Sequence, residues 1–548
     1  MFLVSRLGDS VWYCAVMNVL LQRFASFFGL DADLRRVKKL VLKRRYKKYN
    51  NKILVEAWMN PSVSLGLERF LPPLIDQLRA EPISFYGTYG GLAIRLKEAL
   101  RLRFSFYGHI GIRKFKLFSF SRKPDRYKQL AEVLISQNRS PEQFERLKYR
   151  NVLVGDTVYD SFLRGNNLPT IDFDHPNLLE KLSNALYYID LLYDYFLVEE
   201  VKAVCMIETT YMLALPGRVA FEFNIDVFII AHSRVFRLSK NAYIGFHEFL
   251  EFKSVFDSLP QTIKTWGEER AKLAMPSILA RARFELNDKV SLHHFPQGHS
   301  YQLRKPLKLL ISAHDFFDSP HRVGFAFFSD FYNWLCFLNS VALETNYKLY
   351  VRTHPNSRPW NQEVLNSIFE RTPSVTLLSP RIRNAELVEM DFSAVLTVFG
   401  TVGSEWPLYG VPVINASSRH KHMNISGNIT PKSKEDYVQL LYSLDSSTFY
   451  EENSQDSWSQ YIFMRDFFMQ KSLNTRFFEE IAYEREIDLE RLRRGFDWGF
   501  AHRILLSEQY PRDMIEKGFE KFIESNDYCL NRLHLNSADR IDDYKFFR

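Results

Sequence analysis

Residues 394–416 read AVLTVFGTVGSEWPLYGVPVINA. A β-branched apolar run (394–399) stops at Gly400, a glycine- and hydroxyl-rich turn follows, and a second apolar run begins at Pro412. Parallel strands cannot be joined by a hairpin, so two buried runs separated by one short amphipathic stretch predict a β–helix–β crossover. The expected elements are strands at 394–399 and 412–416 with a helix over 402–409.

Upstream the same alternation repeats. LKLLISA (307–313), YKLYVRT (347–353) and SVTLLS (374–379) read as strands, with helices expected at 325–343, 361–369 and 384–390. Alternation of this kind builds a doubly wound parallel sheet, whose ligands sit beyond the carboxyl ends of strands. A second series lies earlier in the chain: strands KILVEA (52–57), ISFYG (83–87), AVCMI (203–207) and DVFII (226–230), with helices over 65–78, 91–102, 178–198 and 211–222. Between about 235 and 305 the chain reads as aromatic, charged and helical. The expected fold class is α/β, with two Rossmann-like doubly wound domains, a helical N-terminal extension and a helical C-terminal tail. The boundaries are drawn at 1–50, 51–304, 305–450 and 451–548.

The length of 548 residues suits two domains and excludes a single small module. Apolar residues at 46% and charged residues at 25% exclude wholesale disorder. The net charge of +8 is localised: RRVKKLVLKRRYKK (35–48) holds nine basic residues and no acid, and removing those nine from the 72 basic residues leaves 63 against 64 acids. With no zinc-finger, RRM or helix-turn-helix pattern, nucleic acid is not an expected partner. The extension instead reads as a basic amphipathic helix for an anionic membrane surface, or more plainly as a solvated helix capping the first domain. Cys14, Cys205, Cys336 and Cys529 are widely separated without a Cys-x-x-Cys, which fits a reducing cytosol. No signal peptide is expected, and the apolar window 11–30 is interrupted by Asn18, Gln22 and Arg23, so no membrane span is expected either.

Two loops of the second domain have chemistry suited to phosphate. Arg352, Thr353 and His354, followed by Pro355, place a cation, a hydroxyl and an imidazole at a strand's carboxyl end; the bland alternative is a strand-ending His-Pro with surface polar neighbours. In the second loop Gly400 and Gly403 permit close backbone approach, Thr401, Gly403 and Ser404 supply hydroxyls and N–H groups, and Glu405 is placed for ribose hydroxyls or simply to stabilise a helix start. Neither loop is a Walker loop or G-x-G-x-x-G.

Asp156 and Asp160 lie four residues apart and share a helix face if that segment is helical, giving a candidate base for an acceptor hydroxyl, or else a capped and solvated helix start. Asp315 is a third candidate, in a loop with His314, Asp318 and His321 that a plain polar turn would also explain. Arg164 and Glu208 are further cleft candidates. His293, His294, His299, His420 and His422 lack metal-site spacing, so no metal is expected.

RTHP (352–355) followed by GTVGSEWPLYGVPVINAS (400–417), together with ISAHDFFDSPH (311–321), DFYNWL (330–335) and VGDTVYDSFLR (154–164), resembles bacterial surface-polysaccharide (capsule) biosynthesis proteins of the GT-B type, related to the His-Pro-motif transferases of Kdo and sialic acid. The resemblance spans roughly 52–445. It implies a metal-independent glycosyltransferase without a cofactor, a nucleotide-sugar donor, CMP-linked in the related transferases, and a glycan or lipid-linked acceptor. It places Arg352, His354, Thr401, Gly403, Ser404 and Glu405 on the donor, and the protein in the cytoplasm or at the inner face of the membrane. The motif departs from the Ser-Ser form of those transferases. Alternatives are a nucleotide-sugar 2-epimerase, a CDP-glycerol glycerophosphotransferase, and a non-catalytic capsule assembly or export partner.

Overall fold

In a computed structural model of the chain, residues 32–57, 61–88, 106–120, 123–231, 234–245, 250, 252–281, 300–303, 305–353, 359–450, 454–468, 512–525 and 527–535 are described. The expected helix at 91–102, the apolar window 11–30, His354, His293, His294, His299 and residues 469–511 of the tail lie outside them.

The first half is a six-stranded sheet of β1 (Asn51–Glu56), β2 (Ala80–Thr88), β3 (Lys114–Ser119), β4 (Val201–Met206), β5 (Asp226–Ala231) and β6 (Arg234–Leu238), in the order β3-β2-β1-β4-β5-β6. All neighbours are parallel except β6, which returns antiparallel on β5. The second half repeats the order with β7 (Lys308–Ser312), β8 (Lys348–Arg352), β9 (Val375–Leu377), β10 (Ala394–Thr397), β11 (Val413–Asn415) and β12 (Asn428–Ile429), arranged β9-β8-β7-β10-β11-β12 and parallel throughout. The α/β class with two doubly wound sheets is therefore as expected. The strand order reverses between β1 and β4 in one sheet and between β7 and β10 in the other, and such reversals open a crevice at the carboxyl edge.

Both sheets are covered on both faces, which explains why their strands read as continuous apolar runs. Along β1, Leu54 joins one core cluster while Ile53 and Val55 join another on the opposite face. Along β7, Leu310 enters that first cluster and Leu309 and Ile311 enter a third. The first cluster thus runs from one half into the other. Each fully buried aliphatic side chain contributes roughly 1.5–3 kcal/mol.

Several local expectations are corrected. Helix Phe331–Glu344 begins six residues later than expected, because Asp330 caps it by accepting from Asn333 N–H. The stretch over 402–409 is two 3₁₀ turns, Thr401–Ser404 and Trp406–Tyr409, ending at Gly410 in a left-handed conformation (φ 71°). Pro407 has no N–H to give a continuous α-helix there. Residues 234–238 are an edge strand where a helix was expected. β3, with lysines at 114 and 116, gave no apolar run to read.

The flanking segments fold back on the first half. Leu34, Val37 and Val41 of the extension are buried with Phe519 and Phe522 of the tail helix Arg512–Glu524. Trp458, Tyr461 and Phe463 pack with Phe252, Phe256 and Ile263. Among the described residues no helix is long and apolar enough to cross a membrane.

Candidate functional site

The second sheet's reversal is lined by an imidazole, hydroxyls and a turn. Just beyond β7, the His314 ring stacks on Phe331 (centroids 4.4 Å apart, 11° between planes), and its Nε2 lies 3.2 Å from Thr397 Oγ1 at the end of β10. Thr397 Oγ1 in turn accepts from Gly400 N–H (3.1 Å), fixing the start of the 400–405 loop. Gly403 has no room for a side chain: a Cβ there would sit 2.8 Å from Asn428 Oδ1 and 2.9 Å from His422 Cδ2. Thr401 is exposed, whereas Ser404 is buried and donates its hydroxyl to Thr401 O (2.9 Å). Ser404 therefore holds the turn rather than offering its hydroxyl outward.

One strand away, Arg352 ends β8 with Nη1 donating to Asn384 Oδ1 (2.5 Å) and Ile382 O (3.4 Å). Glu405, partly buried, feels this guanidinium. Burial raises its pKa to about 7, with Arg352, Arg465 and Lys421 opposing. The structure thus brings Arg352 and the 401–405 loop to one edge.

The first sheet's reversal carries carboxylates. Glu56, the last residue of β1, is buried, and its Oε2 accepts from Ile207 N–H (3.0 Å) just after β4. Burial pushes its pKa up to about 8, the Ile207 N–H opposes, and Glu208 next along the edge adds to the rise. Glu208 Oε1 accepts from Thr209 N–H (2.9 Å). Sequence reasoning found Glu208 and missed Glu56. The signal was there, since KILVE is a buried strand closed by an acid.

The two edges face each other. Helix Gly155–Asn166 of the first half meets the loop after β7, and the Asp160 carboxylate lies 2.6 Å from His321 Nδ1 while Glu145 approaches its Nε2 at 3.2 Å. Burial disfavours the imidazolium, but Asp160 and Glu145 outweigh it and raise the pKa to about 10. Asp160 is itself raised to about 6 by burial, against the pull of His321. Beside this triad Tyr159 and Thr170 donate to Asp330 Oδ2 (2.5 and 2.7 Å). Further along, Tyr211 donates to Asp318 Oδ1 (3.0 Å), Arg164 donates to the Tyr211 hydroxyl (3.1 Å), and Arg322 lies 4.0 Å from Glu208. Asp318 is partly exposed; desolvation works upward on its pKa, but hydrogen bonds from Ser319 N–H and Tyr211 and the nearby charges of Arg322 and Arg164 lower it overall. Tyr211 occupies the left-handed region (φ 56°), a strained backbone for an aromatic residue.

Asp160, Arg164, Glu208, Asp318 and His321 from the sequence reading therefore meet at one interface. Asp156 does not join them. It shares the helix start, but both its oxygens are held by Arg218 (2.6 and 2.8 Å), a buried bidentate pair. Asp315 is also engaged locally, accepting from Phe317 N–H (3.0 Å) and Asn361 Nδ2 (3.2 Å). His420 accepts or donates at Thr430 Oγ1 (2.8 Å), and burial lowers its pKa to about 3, while buried His422 is likewise held neutral.

No protein-family model and no curated protein matches the sequence. Among solved structures, a UDP-GlcNAc 2-epimerase from Neisseria meningitidis bound to UDP-GlcNAc is 11% identical, over 76% of this chain and 98% of that one, at a TM-score of 0.21. A UDP-N-acetylglucosamine 2-epimerase from Rickettsia bellii is 14% identical over 80% and 99%, with a TM-score of 0.24. The N-terminal domain of Candida albicans trehalose-6-phosphate phosphatase is 9% identical over 86% and 99%, with a TM-score of 0.28. At these scores the architecture rests on the chain's own strand order.

Proposed function

We propose that this protein is an enzyme acting on a nucleotide-activated sugar, bound in the GT-B manner between the two sheet edges. The observation that carries the reading is the meeting of two carboxyl edges of opposite character at one interface. Anion-compatible donors lie on the second half, around Arg352 and the 400–405 loop, and carboxyl groups lie on the first. A nucleotide's phosphates suit the former, through N–H groups and a cation. The reacting sugar then lies toward the latter.

Two reactions fit that arrangement. Epimerisation moves a proton and needs no acceptor. Carboxyl groups with pKa values raised to about 8 (Glu56) and about 7 (Glu405) are poised to exchange protons near neutrality. Transfer to a glycan or lipid-linked acceptor in surface-polysaccharide synthesis is the second reading, favoured by RTHP at 352–355 with GTVGSE at 400–405. Transfer of glycerol phosphate uses the same donor-side logic.

A thermal-shift panel of UDP, CMP, CDP and GDP comes first, since a ligand selective for the folded state raises the melting temperature. One nucleotide is expected to shift it. Incubating the protein with the sugar of that nucleotide, UDP-GlcNAc first, in deuterated water then separates the reactions. An isomer carrying solvent deuterium and formed without acceptor marks an epimerase, and consumption only with an acceptor marks a transferase. No shift with any nucleotide and no turnover would overturn the proposal.

A further inference from the structure

We propose that residues 35–48 form a fixed docking surface for an anionic lipid bilayer. Of the amphipathic helix expected through residue 50, Ala32–Leu40 is helical and residues 42–49 are not, and the apolar side is already used. Leu34, Val37 and Val41 are fully or almost fully buried in the first half's core. A helix so held cannot roll its apolar stripe into a membrane.

The segment is anchored along its length. His109 Nε2 lies 3.0 Å from Val41 O, and Arg44 N–H donates to His109 O (3.2 Å). Arg44 Nη2 donates to Glu516 Oε1 of the tail helix (2.6 Å). The Tyr46 ring fills the space beside Gly111, where a Cβ would come within 2.7 Å of it. These contacts tie the segment to the first half and to the tail helix.

What it presents outward is basic and apolar together. Arg35, Arg36, Lys39, Lys43, Arg45, Lys47 and Lys48 are exposed, and between Lys39 and Lys43 the chain exposes Leu40 (41%) and Leu42 (56%). Basic side chains alone would suit any polyanion. Exposed leucines flanked by them suit a bilayer, where they enter the headgroup boundary while the charges meet anionic lipid. A nucleic acid offers those leucines nothing. The inference does not depend on the catalytic reading.

The test uses the full chain and sedimentation with vesicles. Wild type is expected to pellet with equal parts phosphatidylglycerol and phosphatidylcholine at low salt and to stay in solution with phosphatidylcholine alone. Leu40→Ser with Leu42→Ser should lower partitioning about tenfold, and Lys43→Glu with Lys47→Glu and Lys48→Glu by at least about tenfold. All five positions are exposed, and circular dichroism should show unchanged folding. Wild type that fails to pellet with anionic vesicles overturns the proposal. So does a leucine variant that pellets like wild type while both bind an RNA duplex, which would mark a general polyanion site.

Discussion

The two sheets share one strand order, yet they place opposite chemistry at its reversal. In the first half the crevice between β1 and β4 is bordered by Glu56 and Glu208. In the second, that between β7 and β10 is bordered by His314, Thr397 and the Gly400 turn. Topology alone provides two equivalent places for a ligand. The side chains separate them, since a donor-lined edge attracts phosphate more than one bordered by carboxyl groups does. On the proposed reading, anion binding falls to the second sheet, and proton exchange to Glu56 on the first with Glu405 beside the anion-binding loop.

The sharpest way to break that division is at Glu56. Glu56→Gln keeps shape and the acceptor for Ile207 N–H but removes the exchangeable proton. Turnover of the nucleotide sugar is expected to fall about 10²- to 10⁴-fold with nucleotide affinity unchanged. Its pH signature has a definite sign. A carboxyl pKa raised from 4.5 to about 8 means the folded state resists ionisation, so wild-type stability should fall as pH rises through that window. Denaturant titrations of Glu56→Gln should lack this component. Loss of nucleotide binding in the variant would instead put the phosphates on the first half and reverse the comparison.

The second prediction concerns what joins the edges. His321→Ala leaves Asp160 and Glu145 buried without their cation, which should cost about 3–5 kcal/mol in unfolding free energy. His321 is faced by Asp160 and Glu145, by the Tyr159 and Phe325 rings, and at longer range by Asp330, while Arg146 approaches Glu145. Its pKa is raised from 6.5 to about 10. The stability it contributes is therefore complete below pH 6.5 and lost as pH climbs through 10. Wild type should lose stability over that window and His321→Ala should not. A variant with the wild-type slope would mean that the halves are held elsewhere.

How much of this was legible in the sequence follows from the range of the forces involved. The second half could be read almost strand by strand, because each buried run is local and bounded by turn residues. The placing of a candidate site at strand ends followed from that, as did the loops in which Arg352, Glu405, Asp318 and His321 stand. Partnerships did not. Nothing near Asp156 announces Arg218, 62 residues later, and nothing near Asp160 announces His321, 161 later. The pairing that removes Asp156 as a lone base is visible only once helix Leu215–Glu222 packs beside it. Glu56 was overlooked for another reason: it stands inside the expected strand 52–57 with nothing local to set it apart, and only its burial gives it meaning. The basic extension was half legible: its described helix is Ala32–Leu40, residues 42–49 are not helical, and its apolar face packs into the first half's core.

The smallest effect expected is at the donor edge. Gly403→Ala adds one methyl where Asn428 Oδ1 and the His422 ring are already under 3 Å away. Asn428 also donates from Nδ2 to Gly403 O (2.7 Å), so the methyl pushes against the side chain that fixes the turn. The cost in stability should be about 1–3 kcal/mol by overpacking. Because the turn shifts as a unit, nucleotide affinity measured by calorimetry should fall while the His321 pH slope stays as in wild type. If affinity holds despite the lost stability, the 400–405 loop supports the edge without touching the nucleotide, and Arg352 and His314 become the contacts to test.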